Sequence, residues 1–149
     1  MKGRTLAVVA GLLLLVAVFG QTVRWRNRMA ASRALRQVEM LSLAAASAGQ
    51  APTQLMTANL DVLSRVAPLA PAEVGIPIAQ GTQYLFLARP EPAIRFYEEA
   101  LALEPRPEGY LNLGRAQWLA GRREEARASF ARAVRLDPRL AEQIPRTAR

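Results

Sequence analysis

Residues 110–138 read YLNLGRAQWLAGRREEARASFARAVRLDP. The pattern predicts two helices with a short turn between them, and the segment before it repeats the same plan. With residues 74–106 set above 107–139, at a constant offset of 33, Gly81 falls on Gly114, Glu91 on Glu124 and Ala93 on Ala126. Tyr97 falls on Phe130, Ala100 on Ala133, Leu103 on Leu136, and Pro105-Arg106 on Pro138-Arg139. A period of this length marks one supersecondary unit that stacks on its neighbour.

Each matched position has a physical reading. Gly81 and Gly114 fall inside a first helix, where glycine costs about 1 kcal/mol relative to alanine, a cost that makes sense if a neighbour must approach closely. Ala93 and Ala126 begin the second helix with little bulk. Tyr97 and Phe130 follow four residues later as the large filler, with Ala100 and Ala133 on the same face. Pro105 and Pro138 end the second helix.

These residues resemble the tetratricopeptide repeat. In 107–138 the match covers Tyr110, Leu113, Gly114, Ala126, Phe130, Ala133 and Pro138, with Gln117 where an aromatic is usual. In 74–105 it covers Gly81, Tyr84, Ala93, Tyr97, Ala100 and Pro105. That unit departs by placing Pro77 and Gln80 where an aromatic and an aliphatic are usual, and Pro90 and Pro92 in the inter-helix turn. The spacing of 33 also suits ankyrin repeats, but their Thr-Pro-Leu-His turn is missing.

The resemblance implies that first helices of successive units line a groove for a peptide or helix. On this chain the groove would show Ile78, Thr82, Leu85 and Phe86, then Glu108, Leu111, Asn112, Arg115, Trp118 and Leu119. Asn112 matches a residue that often bonds ligand backbone in the family, Arg115 suits a partner carboxylate, and Trp118 is a natural hot spot. Trp118, Leu119 and Phe86 have the competing reading of packing between helices.

Upstream, residues 5–23 (TLAVVAGLLLLVAVFGQTV) carry no charge, and eleven of these nineteen are Leu, Val or Phe. As a helix they span roughly 28 Å, close to a hydrocarbon core of about 30 Å. The expectation is a retained transmembrane helix, with Arg24, Trp25, Arg26 and Arg28 at the membrane surface beside anionic lipid headgroups. The alternative is a cleaved signal peptide and an exported soluble adaptor, against which the run RWRNR at 24–28 argues. The arginines favour a cytoplasmic over a periplasmic domain.

Between Gly20 and Gly49 there is neither Gly nor Pro. Leu35, Val38, Leu41 and Ala45 mark one helical stripe, and Met56, Leu60, Leu63 and Val66 mark the buried side of a second helix. Gly49 to Pro52 is a break. This pair reads as a degenerate third repeat, with Ala44 and Met56 at the close-packing sites, or as a helical cap of no repeat type. Leu140 to Ile144 reads as the start of a further helix covering the last repeat.

The net charge of +8 is uneven, since residues 1–36 hold seven basic residues and no acid. The remaining thirteen Arg nearly balance twelve Asp and Glu, which argues against nucleic acid. No Cys or His occurs, and Lys2 is the only lysine, so imidazole ligands, thiol nucleophiles and phosphate-gripping lysines are missing. Glu98-Glu99 and Glu124-Glu125 read as solvated helix faces.

The sequence therefore predicts an all-α, non-enzymatic chain with no cofactor, metal or small-molecule substrate. Its parts are a tail at 1–4, the span at 5–23, a basic juxtamembrane helix and helical pair at 24–73, repeats at 74–106 and 107–140, and a cap at 141–149. The expected role is a membrane-anchored accessory subunit that binds a membrane protein or membrane-complex subunit. Arginine-rich, alanine-rich and lysine-poor usage points to a bacterium of high GC content, hence to its inner membrane.

Overall fold

A computed structural model describes residues 2–47 and 53–148, with side chains from residue 9 onward apart from those of Ala10 and Ala46. The expected break at Gly49 to Pro52 and the tail residue Met1 lie outside the described residues.

The chain opens with one long helix, α1 (Lys2–Ser47), followed by α2 (Thr53–Val66) and a 3₁₀ turn at Ala67–Leu69. Then come α3 (Gly75–Phe86), α4 (Pro90–Leu103), α5 (Pro107–Leu119) and α6 (Arg123–Leu136). Short 3₁₀ turns at Pro138–Gln143 and Arg146–Ala148 complete it. Three helix pairs stack in chain order: the C-terminal part of α1 with α2, α3 with α4, and α5 with α6.

Proline sets several boundaries. Pro90 and Pro107 open α4 and α5, where a missing N–H costs nothing and the fixed φ suits a helix. Pro90 and Pro92, expected in the inter-helix turn, thus lie in the first turn of α4, and Pro77 is likewise accommodated in the first turn of α3. At the other ends Glu104 and Asp137 are extended, as residues before proline prefer, and their N–H groups close the last turn on Ala100 and Ala133, each at 2.9 Å.

The core is divided among three clusters. The first joins Ala31, Leu35 and Val38 of α1 to Leu63, Ala70, Ile76 and Ala79. The second gathers Ala93, Ile94 and Tyr97 of α4 with Leu113 and Ala116 of α5. The third holds Leu111, Ala126, Phe130 and Ala133 together with Leu140, Ile144 and Ala148 from the C-terminal segment. The further helix expected at 140–144 is therefore a 3₁₀ turn, hemmed in by Pro138 and Pro145, but its apolar residues still cover the last unit.

The first seam departs from the expected stripes. Leu41 is exposed, and Ser42 is buried in its place. On α2, Asn59 sits in the buried centre, with Leu60 and Val66 half-buried at its flanks. Gln83 of α3 joins them. Asn59 donates to Gln83 Oε1 at 3.1 Å, and Gln83 Nε2 donates to Ser42 Oγ at 3.1 Å. Polar residues are tolerated there because each satisfies the others. Of the two expected close-packing residues, Met56 is fully buried, but Ala44 faces out and Ala45 faces in.

The N-terminal part of α1 is different. From Leu12 to Phe19 the large side chains are 51–71% exposed around the whole circumference. Among the described residues no helix is long and apolar enough to cross a membrane. The expected span at 5–23 includes residues 5–8 and 10, whose side chains lie outside the described set.

Candidate functional site

The expected groove residues fall on two helices. Ile78, Thr82 and Leu85 lie at four- and three-residue steps on α3, and Glu108, Leu111, Asn112, Arg115 and Trp118 lie on α5 at three-residue steps apart from the adjacent Leu111 and Asn112. Their surroundings divide them.

Ile78 and Leu85 are half-buried against the central cluster of Ala93, Tyr97 and Leu113. The Thr82 hydroxyl donates to the Ile78 carbonyl at 3.0 Å and lies 3.2 Å from the Tyr97 hydroxyl. Burial pushes the Tyr97 phenol above its ordinary pKa, with the Thr82 hydrogen bond and the charge of Arg115 acting in the opposite direction. Leu111 is 2% exposed and belongs to the last cluster.

A polar face remains on α5. Arg115 Nη1 donates to Asn112 Oδ1 at 3.3 Å, and its Nη2 reaches the Gln143 carbonyl at 3.4 Å. The C-terminal segment thereby engages one end of this face. Glu108 is exposed one turn earlier and acts electrostatically on Arg106 and Arg139. Arg139 is chelated by Asp137, whose carboxyl it holds below the usual carboxylate range.

Trp118 is half-buried against the last cluster, and the Arg123 guanidinium lies 3.7 Å from its ring centre. Phe86 and Leu119, which share one repeat position, are both exposed, so neither packs between helices as the competing reading had it. Two features escaped the sequence: the tie from Arg115 to Gln143, and the arginines stacked over rings at the inter-helix turns. Arg89 over Tyr84 at 5.5 Å resembles Arg123 over Trp118, one residue out of the 33-residue register, and an aromatic five residues before an arginine was the available signal. Among the described residues no group of acidic side chains could hold a metal ion.

Comparison with known proteins places this architecture. Residues 107–140 match the tetratricopeptide repeat family. The matched stretch holds α5 and α6, and the stacked helical pairs are tetratricopeptide-like. TTC0263, a thermophilic tetratricopeptide repeat protein of Thermus thermophilus, superposes with a TM-score of 0.56 at 27% identity, over 60% of this chain and 46% of that one. The chain thus spans about half the length of that relative. The first tetratricopeptide repeat domain of Spaghetti (RPAP3), solved with the HSP90 peptide SRMEEVD, gives a TM-score of 0.58 at 18% identity. That likeness covers 72% of this chain and 82% of the other, and it concerns the fold alone. No curated protein matches the chain. Tetratricopeptide repeats are protein–protein interaction modules, which makes the α3 and α5 surface the candidate binding face.

Proposed function

We propose that this chain is a single-pass, membrane-anchored scaffold whose repeat stack holds another protein, as an accessory subunit of a bacterial membrane complex. The observation that carries the reading is the change of environment along α1. Its C-terminal part buries Ala31, Leu35 and Val38 as the first helix of the stack, while Leu12 to Phe19 expose seven large apolar side chains. At about 1.5–3 kcal/mol for each such side chain, leaving them in water forgoes roughly 10–20 kcal/mol. A bilayer would recover it, with Arg24, Trp25, Arg26 and Arg28, all exposed, beside anionic lipid headgroups at the surface. The same arginines favour the cytoplasmic side of the inner membrane for the repeat stack.

On the binding face, Glu108, Asn112 and Arg115 of α5 offer polar recognition, with Ile78, Thr82 and Leu85 half-buried on α3, Leu111 buried and Trp118 half-buried. The reading gives the chain neither catalysis nor a cofactor.

The test is co-purification of the full chain from detergent-solubilised membranes, followed by mass spectrometry. A membrane-complex component recovered with the wild type and lost with the Glu108→Ala/Asn112→Ala pair supports the reading. Release of the chain into the soluble fraction, or a mature N-terminus at residue 21, would overturn the anchor. Recovery of the same component with the pair of substitutions would move the binding face elsewhere.

A further inference from the structure

The reading above places Arg24 where the apolar run ends, and that height carries a second feature. The turn after the Ala67–Leu69 segment folds back onto α1. Ala70 packs with Ala31 and Leu35, and the Glu73 N–H closes the turn on the Ala70 carbonyl at 2.9 Å. Between the turn and α1 lies a cleft of about 480 Å³, lined by Arg24 and Arg28 on one wall and by Leu69, Pro71 and Glu73 on the other.

The charges around this cleft are opposite, yet they do not pair. Arg24 and Arg28 stand one helical turn apart, and neither they nor Glu73 appear in any ion pair among the described residues. The cation that feels the field of Glu73, Arg106, is already hydrogen-bonded to Glu104 at 2.7 Å. The cleft therefore has a cationic wall and, separately among its lining residues, the half-buried acid Glu73. Leu69 is 43% exposed at its rim, on an apolar turn beside the end of the uncharged run.

We infer that this cleft binds the headgroup of a zwitterionic phospholipid bearing a primary ammonium, the phosphate on Arg24 and Arg28 and the ammonium on Glu73. A plain phosphate would meet the arginines but be repelled by the carboxylate. A primary ammonium supplies N–H donors for a charge-assisted bond to Glu73. A trimethylammonium has none, and the aromatic cage that recognises quaternary ammonium is missing, since no residue lining the cleft is aromatic. Phosphatidylethanolamine has the matching chemistry, and soluble phosphoethanolamine shares it.

The inference rests on the membrane reading, and the experiment separates the two. The full chain in detergent is mixed with dioleoyl phosphatidylethanolamine, phosphatidylcholine or phosphatidylglycerol and lipid adducts are counted by native mass spectrometry; the same preparation is floated on vesicles of the three lipids. The expected result is flotation, with several-fold more ethanolamine than choline adduct. Glu73→Gln should abolish that preference, and Arg24→Gln/Arg28→Gln should lower all three adducts. Equal ethanolamine and choline adducts in the wild type, or a preference that survives Glu73→Gln, overturns the site while flotation preserves the anchor. No flotation overturns both. Displacement of the lipid by soluble phosphoethanolamine at equal concentration assigns the cleft to a free phosphate ester and overturns the lipid.

Discussion

In the pair α3–α4, Gly81 lies beneath the ring of Tyr97; in α5–α6, Gly114 lies beneath the ring of Phe130. A Cβ on Gly81 would come within 2.9 Å of the tyrosine ring, and one on Gly114 within 2.6 Å of the phenylalanine ring. The turns correspond as well. Gly121 takes the left-handed conformation at φ 79°, and its counterpart Ala88 takes it at φ 52°. Both turns close with the same wrapped pattern, Arg89 N–H on the Tyr84 carbonyl and Arg122 N–H on the Gln117 carbonyl, each at 2.9 Å. The second pair meets each steric demand with the residue best suited to it, whereas the first accepts an alanine in a strained turn and a hydroxyl inside its core. The first pair stands between neighbours on both sides, α2 and α5. Stacked repeats share stability through their interfaces, so an inner unit tolerates departures that an outer one does not.

The comparison breaks most visibly if the rings are removed. Phe130→Ala and Tyr97→Ala should each cost about 3–5 kcal/mol, because both side chains are almost fully buried. Urea unfolding of the full chain in detergent, followed by circular dichroism, would measure it. Near-equal losses would mean that the neighbours of α3–α4 do not compensate. A smaller loss at Tyr97 is the expected sign that they do. Next come the glycines: Gly114→Ala should destabilise by about 1–3 kcal/mol despite alanine's better helix propensity, and Gly81→Ala by less. A stabilising Gly114→Ala would show that the Phe130 ring gives way freely.

These positions were legible in the sequence because each rests on a local constraint that recurs every 33 residues. Gly under ring, Ala at the helix crossing and Pro after the last turn need no knowledge of distant partners. What was not legible depends on distance. Ser42, Asn59 and Gln83 come from three helices, and only their meeting makes a polar residue acceptable at a seam where Leu41 was expected. On the candidate site, the faces of Ile78 to Leu85 and Glu108 to Trp118 came only from the resemblance to the repeat family, carried over position by position. That Thr82 turns to Tyr97 and that Gln143 reaches Arg115 was not legible, since no periodicity links residues 15 or 28 apart.

The turns allow a reciprocal and smaller test. Gly121→Ala should cost about 1–2 kcal/mol through the left-handed backbone alone, as nothing lies within 4 Å of the added Cβ. Ala88→Gly should gain a similar or slightly smaller amount. If both changes destabilise, the Ala88 side chain contributes packing that offsets its strain.

The smallest difference is the hydroxyl that Tyr97 has and Phe130 lacks. Tyr97→Phe removes its contact with Thr82 at 3.2 Å and should shift stability at neutral pH by no more than about 0.5–1.5 kcal/mol. The pH profile reads the same group more sharply. Burial holds the folded-state pKa of Tyr97 above its ordinary value of 10.0, so the unfolded chain gives up this proton first. Stability from the neutral phenol is therefore complete below about pH 10 and is lost as the pH climbs from there toward the raised value. The wild type should weaken across that alkaline window by more than Tyr97→Phe does. Parallel profiles would mean that the hydroxyl stays solvated in the folded chain, and that the two units differ less at their centres than their sequences do.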